Sequence, residues 1–200
     1  MHLIYNYWYF INALSPRICD DIIATGKQSK LKNALTGKAK RLTPAVQKQR
    51  KSNVSFLSDR WIYNEIHPYI HTANKNASWN FEWDSSEPCQ FTKYTKGQFY
   101  DWHCDSWDRP YDNPTTKKHG KQRKLSVTVS LSDPKDYKGG ELEFKSVDNH
   151  SGKQYTTLCK EIIPRGSIVV FPSHTWHRVK PVKKGTRHSL VMWSLGWPFK

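Results

Sequence analysis

Two side chains, His103 and Asp105 in the run FYDWHCDSWD (99–108), stand where they could meet at a single metal ion. On a strand, alternate side chains share a face, so this imidazole and carboxylate would converge on one spot. They supply one nitrogen and one oxygen donor, two thirds of a facial metal site. The third ligand must come from a distant segment facing the same interior. SIVVFPSHTWHRVKPVKKGTRHSL (167–190) offers two histidines, His174 and His177, just beyond a strong strand pattern. Two histidines and one carboxylate leave open positions and suit Fe(II) in oxygen chemistry. Such a site keeps net charge and favours an anionic co-substrate. Arg187, ten residues past His177 at the start of the last strand pattern, has a planar fork that suits a carboxylate.

The elements that must position these residues are mostly strands. After an alternating run IYNYWYF (4–10), Ser15-Pro16 supplies an N-cap and a first-turn proline for a helix through RICDDIIATGK. The Lys-rich, Gly/Pro-punctuated stretch 27–50 predicts an exposed loop, and SNVSFL a short strand. Ile62, Ile66, Tyr69, Ile70 and Ala73 recur at helical spacing, with Pro68 expected to kink or restart that helix. From there the chain changes character. WNFEW, CQFTKY, QFYDWHC, KLSVTVSL, GELEF, SIVVF and SLVMWSL are short β-rich runs. The pattern predicts an α+β, mainly β fold: an antiparallel double-sheet jelly roll backed by N-terminal helices. Residues 1–80 would support a core of 81–200 within one domain of 200 residues. The polar insert 106–122 sits beside the suspected site, as lids often do.

Composition narrows the class. With 36% hydrophobic and 14% aromatic residues, the chain is globular rather than disordered. No run approaches the roughly 18 apolar residues of a membrane span, and the N-terminus lacks the cationic start of a signal peptide. Cys19, Cys89, Cys104 and Cys159 are scattered without a C-x-x-C pair, which argues for reduced thiols in a cytoplasmic protein. Strand alternation turns Cys104 away from its two neighbours. The net charge is +15, concentrated in an acid-free stretch between Asp21 and Asp59 and in Lys117, Lys118, Lys121, Arg123 and Lys124. Such surfaces attract nucleic acid, anionic polymers or acidic proteins, or are simply solvated.

The pattern Tyr94-x-x-Gly97, then His103-x-Asp105, RKLSVTVSLSDPKDYKGGELEF and FPSHTWHRVKPVKKGTRHSLVMWSLGW resembles prolyl-4-hydroxylase-type Fe(II)/2-oxoglutarate dioxygenases. It is most similar to their small bacterial and viral members, the PKHD-type hydroxylases, over roughly residues 10–197. The resemblance implies His103, Asp105 and His177 as iron ligands. It implies Arg187 as the partner of the far carboxylate of 2-oxoglutarate and Tyr94 as a hydrogen-bond partner of that co-substrate. His174 precedes the matching position. Fe(II), 2-oxoglutarate and O₂ would be the cofactors, with ascorbate as an accessory reductant. The implied reaction hydroxylates an unactivated C–H while 2-oxoglutarate is converted to succinate and CO₂.

For the substrate, the resemblance favours a prolyl residue in a peptide or protein. Tyr100, Trp102 and Trp193 would keep the pocket dry, and Trp107, Tyr111 and Trp193 would stack on a proline ring. Arg109, Lys117, Lys118, Lys121 and Arg123 would favour acidic flanks. A free amino acid or a nucleic acid remains an alternative substrate, because fold does not fix function. Two other readings account for fewer residues. A zinc hydrolase would need a placed general base, and nothing resembles H-E-x-x-H. A non-catalytic basic barrel binding nucleic acid would leave the metal-type spacing unexplained.

Overall fold

The computed structural model describes residues 5–36, 39, 41–106, 108–148 and 151–199. Its first half comprises β1 (Trp8–Phe10), α1 (Pro16–Gln28), β2 (Lys32–Asn33), α2 (Pro44–Gln49), β3 (Arg50–Lys51), β4 (Asn53–Leu57), α3 (Arg60–Asn76), β5 (Ser85–Ser86), β6 (Cys89–Tyr94) and β7 (Phe99–His103). Then follow β8 (Gln122–Ser130), β9 (Tyr137–Gly139), β10 (Leu142–Val147), β11 (Gln154–Leu158), β12 (Ile168–Pro172), β13 (His177–Val179), β14 (Val182–Gly185) and β15 (Arg187–Gly196). An eight-stranded antiparallel sheet runs β1-β12-β8-β15-β6-β4-β2, with β5 on the side of β15. A five-stranded sheet, β11-β10-β13-β7-β3, faces it, and β14-β9 form a small third sheet. This is the jelly roll that the strand pattern predicts.

Strand alternation divides the apolar residues between two cores. Val127 and Val129 of β8, Ile168 and Val170 of β12, and Leu190 and Met192 of β15 pack with Ile22 of α1 and Ile62, Ile66 and Ile70 of α3. The opposite face of β12 sends Val169 and Phe171 into a second cluster between the sheets, where Leu142 and Phe144 of β10 and Val179 of β13 meet them from the facing sheet. In β8 the alternate positions on that inner side are Ser126, Thr128 and Ser130, all buried. The L-S-V-T-V-S pattern therefore has an apolar face towards the helices and a hydroxyl face towards a polar interior.

Local signals explain the helices. The Ser15 side chain accepts from the Ile18 amide at 3.3 Å, and Pro16 fits the first turn. Gly26 lets α1 approach the sheet, since a Cβ there would lie 2.4 Å from the Phe91 ring. Pro68 does not restart α3, which runs continuously. The proline and Asn64, whose carbonyl loses its helical partner, are both exposed, which leaves that carbonyl open to solvent.

Three other expectations need correction. The stretch 27–50 is not a plain exposed loop: Thr43-Pro44 caps and starts α2, and β2 and β3 join the sheets. WNFEW forms no strand; Asn80 has φ 52°, which breaks alternation, and Trp79 and Phe81 pack into the helix-side core. The first strand covers only Trp8–Phe10, and Ile4 of the expected run lies outside the described residues. Among the described residues no helix is long and apolar enough to cross a membrane.

Candidate metal and co-substrate site

His103 and His177 are direct cross-strand partners on β7 and β13. The register slips between this pair and the next one, Tyr100 with Val179. Plain alternation would put residues 100 and 103 on opposite faces. The irregularity brings both inward, as a bulge does. Tyr100 then stacks on His103, with ring centroids 3.4 Å apart and planes 12° from parallel. Asp105 is not on the strand, contrary to the simple i, i+2 picture, because β7 ends at His103. Its amide and that of Ser106 donate to the Ser173 carbonyl, both at 2.8 Å, and this contact folds the carboxylate back over the histidines.

The result is a buried cluster in which one ligand atom from each of His103, Asp105 and His177 lies within 4.8 Å of the others. Each histidine points Nδ1 at a backbone carbonyl, His103 at Asp101 (2.7 Å) and His177 at Thr175 (2.9 Å). A carbonyl only accepts, so Nδ1 carries the proton and Nε2 keeps its lone pair for a metal. Burial, then the neighbouring His177, pushes His103 down to about 3, which favours the neutral ligand form. Burial opposes the charge on Asp105, but His177, His103 and Arg123 outweigh it and hold the carboxyl below its usual range. Asp105 Oδ2 also accepts from Ser126 Oγ at 2.8 Å, and Ser126 is bonded to Ser173 at 2.9 Å. His174 is exposed, beside Phe81 on another surface, so of the two candidate histidines only His177 reaches the cluster.

From this cluster a cavity runs inward between the sheets past Thr128, Leu142, Val179 and Ser189 to Tyr94 and Arg187. Tyr94 and Arg187 are cross-strand partners, with the guanidinium 5.6 Å from the ring centre. Arg187 is 2% exposed, and its Nη1 has no hydrogen-bond partner among the described residues. A buried cation without a partner is costly, so the position fits a ligand carboxylate. Three donors of types N, N and O at one end and an unmatched guanidinium at the other fit Fe(II) and a dicarboxylic keto acid.

The outer opening is a cleft of about 500 Å³ lined by Tyr100, His103, Cys104, Arg123 and Trp193 among others. Arg123 lies over the Trp193 ring at 3.8 Å and makes two bonds to Glu87, at 2.9 and 3.0 Å. Tyr111 donates to Glu87 at 2.6 Å, and Lys118 Nζ lies 3.1 Å from it. Burial opposes its charge, yet Arg123, Tyr111 and Lys118 hold Glu87 down at about 2. Lys121 pairs with Asp84. The structure thus brings Tyr100, Arg123, Tyr111 and Trp193 to the opening, whereas Arg109 is exposed on the loop and Trp107 lies outside the described residues.

Sequence reasoning missed Arg50, Glu87 and the Ser126–Ser173 pair. Arg50 is 5% exposed, lies 4.4 Å from the Tyr100 ring centre and leaves Nη2 without a partner among the described residues. Its setting in a Lys-rich run hides it. Only Pro44 and Thr43 upstream signal that the run folds there.

A family model described as the 2OG-Fe(II) oxygenase superfamily matches residues 89–195. The chain belongs to that superfamily. Its matched segment contains the three metal-type ligands, Tyr94 and Arg187. The chain is 30% identical over 148 residues to a PKHD-type hydroxylase of Xanthomonas campestris pv. campestris (strain B100), covering 72% of this chain and 61% of the relative. It is 40% identical over 98 residues to one from Synechococcus sp. (strain CC9902), covering 48% of this chain and 36% of the relative. The chain therefore spans about three fifths or less of the length of these curated relatives.

Its fold is similar to that of a viral collagen prolyl hydroxylase from Paramecium bursaria Chlorella virus-1, solved with 2OG. The TM-score is 0.66 at 19% identity, over 96% of this chain and 97% of that one. A Pseudomonas putida prolyl-4-hydroxylase gives a TM-score of 0.67 at 18% identity, over 96% and 93%.

Proposed function

We propose that this oxygenase hydroxylates a prolyl residue in a peptide or protein, with residues 1–80 supporting the catalytic barrel of 81–200. The observation that carries the oxygenase part is the buried Arg187 Nη1, without a partner among the described residues, across one cavity from three convergent ligand atoms. His103, Asp105 and His177 would hold Fe(II), and Tyr94 and Arg187 would hold 2-oxoglutarate. Bound together, Fe(II), 2-oxoglutarate and O₂ supply oxidation of an unactivated C–H bond, with ascorbate as accessory reductant.

The chain's own residues bind, orient and exclude water. The carbonyls of Asp101 and Thr175 fix the imidazole tautomers, and Ser126 fixes the carboxylate. Arg187 would draw the far carboxylate to the inner end of the cavity, so that the keto acid end reaches the ligand cluster. Leu142 and Val179 line that path with apolar surface and limit water there. At the opening, Trp193 and Tyr100 line the cleft beside the ligand cluster, with Arg123 over the first ring and His103 stacked on the second.

The prolyl assignment draws support from an open cleft of about 500 Å³ beside the ligand cluster and from the prolyl hydroxylases of matching fold. The test is oxygen incorporation by mass into proline-containing peptides, free proline and single-stranded oligonucleotides. Hydroxylated peptide is the expected product. Turnover of free proline or an oligonucleotide, with every peptide inert, would replace this substrate class.

A further inference from the structure

One row of the larger sheet runs from the cavity to the surface. Thr128 of β8 pairs with Val191 of β15, Val191 with Gln90 of β6, and Gln90 with Phe56 of β4. Directly paired residues project from the same face of a sheet. Thr128, Val191 and Gln90 line the cavity that holds the ligand cluster and Arg187. Phe56 is therefore the outer end of a row whose other members face the reaction space.

Yet Phe56 is 58% exposed, and Leu35 beside it on the same cleft is 37% exposed. With Pro88 they form one wall of the outer cleft, next to Tyr100 and His103. The opposite wall differs in kind. Its cations Arg123 and Lys118 already share the Glu87 carboxylate, which also takes the Tyr111 hydroxyl. Both cations are held by Glu87, so the one net positive charge of that wall is not carried by a side chain free to turn to an acidic neighbour. Phe56 and Leu35 add exposed apolar surface that is continuous with the reaction space.

We propose that Phe56 and Leu35 dock an apolar side chain flanking the residue that is hydroxylated, so that the enzyme selects substrates by an apolar rather than an acidic neighbour. This rests on the peptidyl reading above. Covering the exposed ring removes apolar area from water, and the expected preference is about tenfold in kcat/KM.

The test uses the full chain with Fe(II) and 2-oxoglutarate. Its substrates are one proline peptide varied only beside the proline, to Leu, Ala, Asp or Lys, on each side in turn. The Leu peptide should exceed the Ala peptide about tenfold on one side, and added salt should leave that ratio intact. Phe56→Ser should bring the ratio close to one, and Phe56→Leu should restore most of it. Because each ratio is taken within a single variant, a loss of folded protein cancels. Hydroxylation with no Leu-over-Ala preference, a preference for Asp, or a ratio that survives Phe56→Ser and Leu35→Ser together would overturn the docking wall alone. If no peptide is hydroxylated while another substrate class is, the peptidyl reading falls and the wall falls with it.

Discussion

The inner end of the cavity and its opening are built differently. At the inner end, Tyr94, Arg187, His103 and His177 sit on strands, and their directions follow from cross-strand register. At the opening, Tyr111 and Lys118 come from the loop between β7 and β8 and are held by one carboxylate, Glu87. Register fixes the first set wherever the sheets form. The second set depends on ion pairs and on loop geometry. On the proposed reading, the reaction chemistry is anchored in the rigid part, and the loop residues border the way in to it.

The sharpest way to break this contrast is at the ligand cluster. His177→Ala or Asp105→Ala should lower metal affinity by at least about 100-fold, beyond the range seen for outer partners of ligands. Metal content after gel filtration reads this directly. His174→Ala should stay within about twofold, because its side chain lies on another surface. Equal losses in both histidine variants would end the assignment.

Arg187→Ala comes next. Truncating one partner of a buried, bonded charge pair costs about 2–5 kcal/mol, so the KM for 2-oxoglutarate should rise by about 30-fold or more. Arg187→Lys should lie between, since it keeps the charge and loses the fork. Succinate formation at varied 2-oxoglutarate gives both values.

At the opening the corresponding cut is Glu87→Gln, which leaves Arg123 buried without its carboxylate and should destabilise the fold by about 3 kcal/mol at neutral pH. Glu87 is held at about 2 in the folded protein, below its ordinary value. Its contribution is therefore full above an unfolded value of about 4.3 and is lost as pH falls towards 2. Urea unfolding of both proteins should give a gap that is constant from pH 7 to about 5 and narrows below that. A gap that widens on acidification would show that the ion pairs do not hold the opening.

The smallest expected effect is Ser126→Ala, which removes one hydrogen bond to Asp105 and should weaken metal binding about tenfold. Ser126→Thr keeps the hydroxyl and should recover most of it. Loss of stability without a change in metal affinity would make the serine a packing residue only.

Much of the inner end was legible in the sequence because chemistry restricts residue types there. A histidine, a carboxylate two positions on, a distant histidine and a late arginine have few other reasons to occur at that spacing. KLSVTVSL was legible as a strand, and its apolar and hydroxyl faces appear once the helices cover one side of it. What was not legible is long-range. Nothing near Glu87 in the chain marks it as the partner of Arg123, 36 residues away. Arg50 looks like one more surface cation until β3 pairs with β7 and brings it to Tyr100. The inward turn of both Tyr100 and His103 depends on a register slip that periodicity cannot foretell. WNFEW misled because its aromatic residues serve the helix-side core without a strand.

The central claim is that the cavity takes a metal at one end and a second carboxylate at the other. Calorimetric titration of 2-oxoglutarate into the protein loaded with redox-silent Mn(II), then into metal-free protein, tests it directly. Pyruvate, the same keto acid end without the far carboxylate, is the comparison ligand. The account predicts one site per chain that needs the metal and binds 2-oxoglutarate at least about 30-fold more tightly than pyruvate. Equal affinity for the two acids, or binding that ignores the metal, would contradict it.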